Sequence, residues 1–262
     1  MPKKNTKCIV ITGASSGIGA ALAKFYAKDN VTLALCGRNL VRLEAVGAEC
    51  ERLGAKVLLS VVNVSNLAEV NNWIVKVNDN QSIDLVHVNA GITGGVGIGR
   101  DFESAEDVSN LLSTNLIGAT NTIGAVIKFM VKSGKGQIVV TNSLAGYVGF
   151  PGSPAYCASK AGLRIYCESL QRSLKSKNII LTLVYPGYVD SPMSRKVISA
   201  KPLTKSVDYA AKLIAIAATK KKREMGFPYP MWIGVRLLGI LPVFLQNIFV
   251  PIFDLQMDMS QD

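Results

Sequence analysis

Apolar residues along the chain follow two alternating rhythms. Short continuous runs, many of them rich in β-branched residues, predict strands at Cys8–Ile11, Val31–Cys36, Lys56–Val64, Ile83–Val88, Gln137–Asn142 and Ile179–Val184. Runs of this kind suit strands buried on both faces, as in a parallel sheet covered by helices. Between them the apolar residues return at helical spacing. Ile18, Leu22, Phe25 and Tyr26 predict one helix, and Leu40, Leu43, Val46, Cys50 and Leu53 another, ended by Gly54. Asn66-Leu67-Ala68-Glu69 reads as a capping box for a helix that buries Val70, Trp73, Ile74 and Val77. Ser104–Lys132 and Ala155–Lys175 are longer helical stretches, and Ser206–Thr219 is amphipathic. Strand and helix alternate with no repeat and no linker. The pattern predicts one α/β domain of Rossmann type, a doubly wound parallel sheet.

The first strand ends in Thr12-Gly13-Ala14-Ser15-Ser16-Gly17-Ile18-Gly19. A strand feeding a helix through glycines lets the backbone approach a pyrophosphate and aims free N–H groups and a positive helix end at it. The spacing is G-x3-G-x-G rather than G-x-G-x-x-G, and alone it fits an ordinary tight turn. Gly37-Arg38-Asn39 follows the second strand, where a dinucleotide fold meets the adenosine ribose. A carboxylate there would accept from a 2′-hydroxyl. Gly37 supplies none, and Arg38 is placed to fork onto a 2′-phosphate; the competing reading is a solvated surface arginine.

Composition narrows the picture. The 262 residues suffice for one such domain with a large core. A hydrophobic content of 49% and a mean hydropathy of +0.29 point to apolar surface meeting a partner, a lipid or a greasy substrate. A net charge of +11 suits a phosphorylated cofactor, an acidic membrane surface or nucleic acid. No aromatic-interleaved basic stripe or helix-turn-helix is visible, so no nucleic-acid partner is expected. Cys8, Cys36, Cys50, Cys157 and Cys167 form no CxxC pair and read as buried free thiols of a reducing compartment. Lys3, Lys4 and Lys7 precede an apolar run too short for a signal-peptide core, so a cytoplasmic protein is expected. His87, the only histidine, lies within a strand, which leaves no multi-histidine metal site and argues against a Ser-His-Asp triad. It reads as a satisfied core histidine, Trp73 reads as core, and no metal is expected.

Candidate chemistry gathers in the second half. Tyr156 and Lys160 are four apart on a predicted helix and share a face. A free tyrosine titrates near 10, and an adjacent ammonium favours phenolate; lowering it to near 7 corresponds to roughly 4 kcal/mol. Ser143, just past a strand end, is placed to donate a hydrogen bond to a substrate carbonyl oxygen.

Together, Thr12–Gly19, Asn89-Ala90-Gly91, Asn115, Ser143, Tyr156-x-x-x-Lys160 and Pro186-Gly187 resemble the compact single-domain branch of the short-chain dehydrogenase/reductase family, from about Lys7 to Ser191. The resemblance implies an NADP(H)-dependent oxidoreductase interconverting a carbonyl and a secondary alcohol, with NAD(H) second. Tyr156 would protonate the carbonyl oxygen as hydride arrives, Lys160 would also bind the nicotinamide ribose, and Asn115 would hold a water connecting Lys160 to solvent. Gly13, Ser15, Ser16, Gly17, Ile18 and Gly19 would cradle the pyrophosphate, and Asn89, Ala90 and Gly91 would pack beside the adenosine and ribose. Pro186, Gly187, Val189 and Ser191 would embrace the nicotinamide amide, Ser191 standing where the family often has threonine. Two positions depart from the pattern. Asn63, before Val64, replaces the usual aspartate at the adenine, and Ser16 stands where many NADP-using members have a basic residue, leaving Arg38 as the main determinant.

Residues 1–224 are expected to form the catalytic domain and 225–262 an apolar extension. Pro192–Pro202 would be a mobile lid over the substrate. Met231–Phe253 is strongly apolar but interrupted by Arg236, Pro242, Gln246, Asn247 and Pro251. An arginine near a helix centre costs about 2.5–3.5 kcal/mol on the insertion scale, which argues against a membrane span. Packing over the cleft or a subunit interface, and peripheral membrane contact through 220–253 beside Lys220-Lys221-Lys222-Arg223, are the alternatives. The resemblance implies a homodimer or homotetramer, and a lipophilic ketone or ketoacyl small-molecule substrate; a sugar or polysaccharide precursor is the other substrate reading. A catalytically silent nucleotide-binding scaffold and a membrane-surface adaptor are the rival functions. The scaffold predicts damage to the serine, tyrosine or lysine, and all three are intact.

Overall fold

The computed structural model describes residues 7–250 and Met257. In chain order the elements are β1 (Lys7–Thr12), α1 (Gly17–Tyr26), β2 (Val31–Gly37), α2 (Leu40–Arg52), β3 (Lys56–Val61), α3 (Leu67–Asn80) and β4 (Leu85–Val88). There follow α4 (Ala105–Leu112), α5 (Gly118–Ser133), β5 (Gly136–Thr141), α6 (Pro154–Leu174), β6 (Ile179–Pro186), β7 (Val189–Asp190), α7 (Pro192–Arg195) and β8 (Lys205–Ser206). The remainder is α8 (Val207–Thr219), β9 (Glu224–Phe227), α9 (Tyr229–Leu238) and α10 (Val243–Phe249).

The main sheet has seven strands in the order β3-β2-β1-β4-β5-β6-β9, and every pairing is parallel. Parallel strands need helical crossovers, and these cover both faces. One core layer holds Trp73, Ile123 and Cys167 from α3, α5 and α6; the other holds Leu22, Leu43 and Ile214 from α1, α2 and α8. The strand order reverses between β1 and β4. Loops leaving the carboxyl ends of those neighbours part in opposite directions, and a crevice opens between them.

Several expectations are refined. The third strand stops at Val61, because Asn63 turns the chain: its Oδ1 accepts from Ser65 N at 3.1 Å. The capping box at Asn66 is half made. Asn66 Oδ1 accepts from Ala68 N and Glu69 N, but the Glu69 carboxylate reaches Asn63 N, since Asn66 N already donates to Asn63 O. The helix expected over Ser104–Lys132 is interrupted by a π-helical turn, Ser113–Ile117. β9 has no counterpart in the predicted strands, being short and half polar, and it crosses the 224/225 point drawn between domain and extension. Gly226 makes room there for Trp232, whose Cγ lies 2.1 Å from where a Cβ would stand.

His87 is fully buried, but only Nε2 has a partner, Tyr26 Oη at 3.2 Å; Nδ1 has none. Burial, helped by the charge of Lys7, holds its pKa down at about 3, so it is a half-satisfied neutral core histidine. All five cysteines are free and buried. Among the described residues no helix is long and apolar enough to cross a membrane. α9 buries Trp232, Val235 and Leu238, and Arg236 pairs with Glu224 while lying 5.7 Å over the Trp232 ring. Residues 251–253 of the expected apolar stretch, like Lys3 and Lys4, lie outside the described residues.

Candidate active site

The turn after β1 is shaped by close approach. Gly13 has φ +67°, and a Cβ on it would fall 2.8 Å from Ala90 Cα after β4. Gly17 has φ +54° at the start of α1. Ser16, the N-cap of α1, makes no side-chain cap, so that helix end presents uncapped N–H groups to the crevice. Thr12 locks the two strand ends together: its Oγ1 accepts from Asn89 N at 3.0 Å and Ala90 N at 3.1 Å, while Asn89 Nδ2 donates to Thr12 O. Gly19 lies behind the turn and does not line the crevice; its missing Cβ would strike Gly13 O at 2.1 Å. It is a packing glycine.

The crevice has a volume of about 480 Å³. Its wall includes Gly13, Ser15, Ser16, Gly17, Ile18, Arg38, Asn63, Val64, Asn89, Ala90, Gly91, Ser143, Tyr156, Lys160, Pro186, Gly187, Val189 and Ser191. Tight backbone at Gly13, open helix N–H groups and an exposed arginine at the rim fit a dinucleotide diphosphate. Arg42, in the first turn of α2, lines the same end and was not singled out from the sequence. Arg38 stands before the Asn39 cap, outside the helix, so helical spacing gives no signal that pairs the two.

Ser143 caps the short turn Leu144–Gly146, its Oγ accepting from Ala145 N at 3.2 Å. Asn142 ties that turn to α6, with its Oδ1 accepting from Ser143 N and its Nδ2 donating to Lys160 O. Burial pushes the Tyr156 phenol above its ordinary value of 10, opposed by a hydrogen bond from Ser143. Among the chain's own groups Lys160 supplies none of the lowering expected from it together with a cationic nicotinamide ring. The amine lies 5.6 Å from the ring centroid, and it is itself lowered to about 8 by burial. Lys160 Nζ donates only a long bond, 3.5 Å, to Thr141 O.

Asn115 does not line the crevice. Buried in the π turn, it accepts from Ile92 N at 2.8 Å and donates to Ile92 O at 2.9 Å and to Ser159 Oγ at 3.3 Å. Gly91 lies between it and Lys160: a Cβ there would stand 3.2 Å from Asn115 Oδ1 and 3.7 Å from Lys160 Nζ. The far end of the crevice is apolar, with Leu144, Phe150, Met193, Val197, Met231, Val235 and Met257. Of these Met231 and Val235 come from α9, and α7 carries Met193 behind a capping box made by Ser191 and Ser194.

A family model described as short chain dehydrogenase matches residues 7–202. The chain is 31% identical over 244 residues to an uncharacterized oxidoreductase of Myxococcus xanthus, covering 92% of this chain and 95% of that one. It is 33% identical over 194 residues to the 3-oxoacyl-[acyl-carrier-protein] reductase FabG of Chlamydia trachomatis, covering 72% and 76%. Among solved structures, a short-chain dehydrogenase from Sphingobium yanoikuyae in complex with NADPH superposes with a TM-score of 0.77 at 25% identity, covering 85% of this chain and 88% of that one.

Proposed function

The chain belongs to the short-chain dehydrogenase family, and from that premise we propose that it is an NADP(H)-dependent reductase of a lipophilic ketone or ketoacyl substrate. The observation that carries the reading is the meeting of Ser143, Tyr156 and Lys160 on one wall of a crevice whose other wall is the glycine turn. A reduced nicotinamide, when bound, supplies the hydride. The Ser143 hydroxyl donates to the substrate carbonyl oxygen and orients it. Tyr156, kept neutral by burial, holds the proton that this oxygen needs as the alcohol forms. Lys160, titrating near 8, is poised to pass a proton toward the phenol at near-neutral pH.

Arg38 and Arg42 at one end, with Gly37 presenting no carboxylate, support a 2′-phosphate and so NADP(H). An NADPH-bound structural relative and the FabG reductases point the same way. Asn115 would act as a brace: its amide is committed to Ile92 and Ser159, leaving one carbonyl lone pair for the water that the family resemblance implies. The apolar far end supports a lipophilic substrate, and Met231 and Val235 support a role for residues 225–262 in covering it. Exposed Leu237, Ile240, Val243, Phe244 and Ile248 on and around α9 and α10 support a further contact surface, in a homo-oligomer or at a membrane.

NADPH oxidation against ketones of graded size tests the proposal. Tyr156→Phe should lower kcat by about 10²–10⁴-fold with NADPH affinity retained. Unchanged turnover would refute the assignment.

A further inference from the structure

α9 returns along β9. Trp232 packs over Gly226, and one helical turn later Arg236 pairs with Glu224, the first residue of the strand. The end of α9 therefore lies beside the turn that feeds β9, Lys220-Lys221-Lys222-Arg223. That turn is fixed by backbone bonds. Lys220 N, Lys221 N and Lys222 N donate to Ile216 O, Ala218 O and Ala217 O. Arg223 O accepts from Leu183 N at 3.0 Å and from Gln171 Nε2 at 2.9 Å. Lys220, Lys221 and Lys222 are exposed, and among the described residues no carboxylate pairs with them. Glu224 on β9 and Glu168 on α6, the helix that meets Arg223 through Gln171, are already paired with Arg236 and Arg164.

Beyond Arg236 the chain carries no charge through Val250, and it turns large apolar side chains outward. Leu237, Ile240, Val243, Phe244, Ile248 and Phe249 are between 45% and 77% exposed. Leu238 and Val250 are buried, so the segment is anchored on one side and bare on the other. Phe244 and Ile248, four apart on α10, share a face. Monomeric proteins seldom leave such a patch in water without a surface to cover it.

We propose that the α9–α10 face docks on an anionic lipid bilayer, with the Lys220–Arg223 turn on the headgroup phosphates and Phe244 and Ile248 among the upper acyl chains. Apolar side chains supply the burial and the unpaired cations the attraction, a combination that holds a protein in the membrane interface. Neither helix is long enough to cross. A second copy of the chain suits the face less well. A two-fold interface sets one patch against itself, which would bring the cationic turn toward its own image. The proposal gives the contact surface described above one occupant, and it does not depend on the carbonyl-reductase reading.

The test is flotation of the full-length protein with vesicles of phosphatidylcholine, alone or with about one third phosphatidylglycerol. The protein should float with the mixed vesicles and stay largely in solution with phosphatidylcholine alone. Replacing Lys220, Lys221 and Lys222 together by Gln should weaken binding to the mixed vesicles about tenfold or more, and high salt should do the same. The double variant Phe244→Ser with Ile248→Ser should lose flotation while its melting temperature and its NADPH-dependent reduction of a small soluble ketone stay at the wild-type level. A wild type that does not float with the mixed vesicles, or a serine double variant that floats as well as the wild type, would overturn the inference and leave the reductase reading intact. So would a wild-type oligomer that the serine variant breaks into monomers by light scattering, because the face would then join copies of the chain. A wild type that floats and reduces no ketone would refute the reductase reading and leave the membrane assignment standing.

Discussion

The wall of the crevice built by β1, β4 and the π turn ties its polar side chains to backbone. Thr12 holds two N–H groups, Asn89 returns a bond to Thr12, and Asn115 grips both polar groups of Ile92. The facing wall, from β5 and α6, is tied only in part, through Asn142 and Ser143. Thr141 Oγ1 and Ser153 Oγ have no partner, and Lys160 Nζ has one long bond. The first wall is a frame that holds its shape without ligand. The second keeps hydrogen-bonding capacity uncommitted at a cost in stability, the usual condition of a surface meant to meet reacting atoms.

The strongest way to break this contrast is Lys160→Met. It should lower kcat by about 10²–10⁴-fold and yet raise the melting temperature of the free protein. Burial lowers Lys160 from 10.5 to about 8, and that difference corresponds to a penalty on the order of 3 kcal/mol at neutral pH. Between about pH 8 and 10.5 the unfolded state binds the extra proton, so wild-type stability should rise with pH there. Urea titrations should show that rise in the wild type and its absence in Lys160→Met. A variant that is both inactive and less stable would remove the idea of an uncompensated wall.

Paired threonine substitutions sharpen the comparison. Thr12→Val orphans Asn89 N and Ala90 N and should cost about 1–3 kcal/mol in urea unfolding. Thr141→Val removes an unpartnered hydroxyl and should cost little or nothing. Equal losses would erase the distinction. The exposed rim gives a separate readout: Arg38→Ala should weaken NADPH about tenfold more than NADH by fluorescence titration. Equal weakening would leave the 2′-phosphate without its clamp.

Much of the framing wall was legible in the chain, because it is local: an apolar run, glycines at fixed offsets, then helical spacing. Tyr156 and Lys160 were legible for the same reason, as an i,i+4 pair. What escaped is non-local. Glu103 caps α6 from a distant loop, Met257 arrives from the far end of the chain, and β9 is too short to carry a pattern. The burial that raises the Tyr156 phenol escaped too, since residue types reveal a neighbouring charge but not how deeply a side chain is enclosed. Gly19 and Asn115, expected at the cofactor and the chemistry, stand behind the wall and set its shape.

Met257 joins Gly97 to Val197, segments that leave the ribosome well before it does. The glycine turn and the tyrosine helix are thus synthesised while their roof is still untranslated. All the residues of the main sheet, through Phe227, likewise precede Met257 in the chain. The contacts that Met257 makes across the opening can form only after every strand of that sheet has been synthesised.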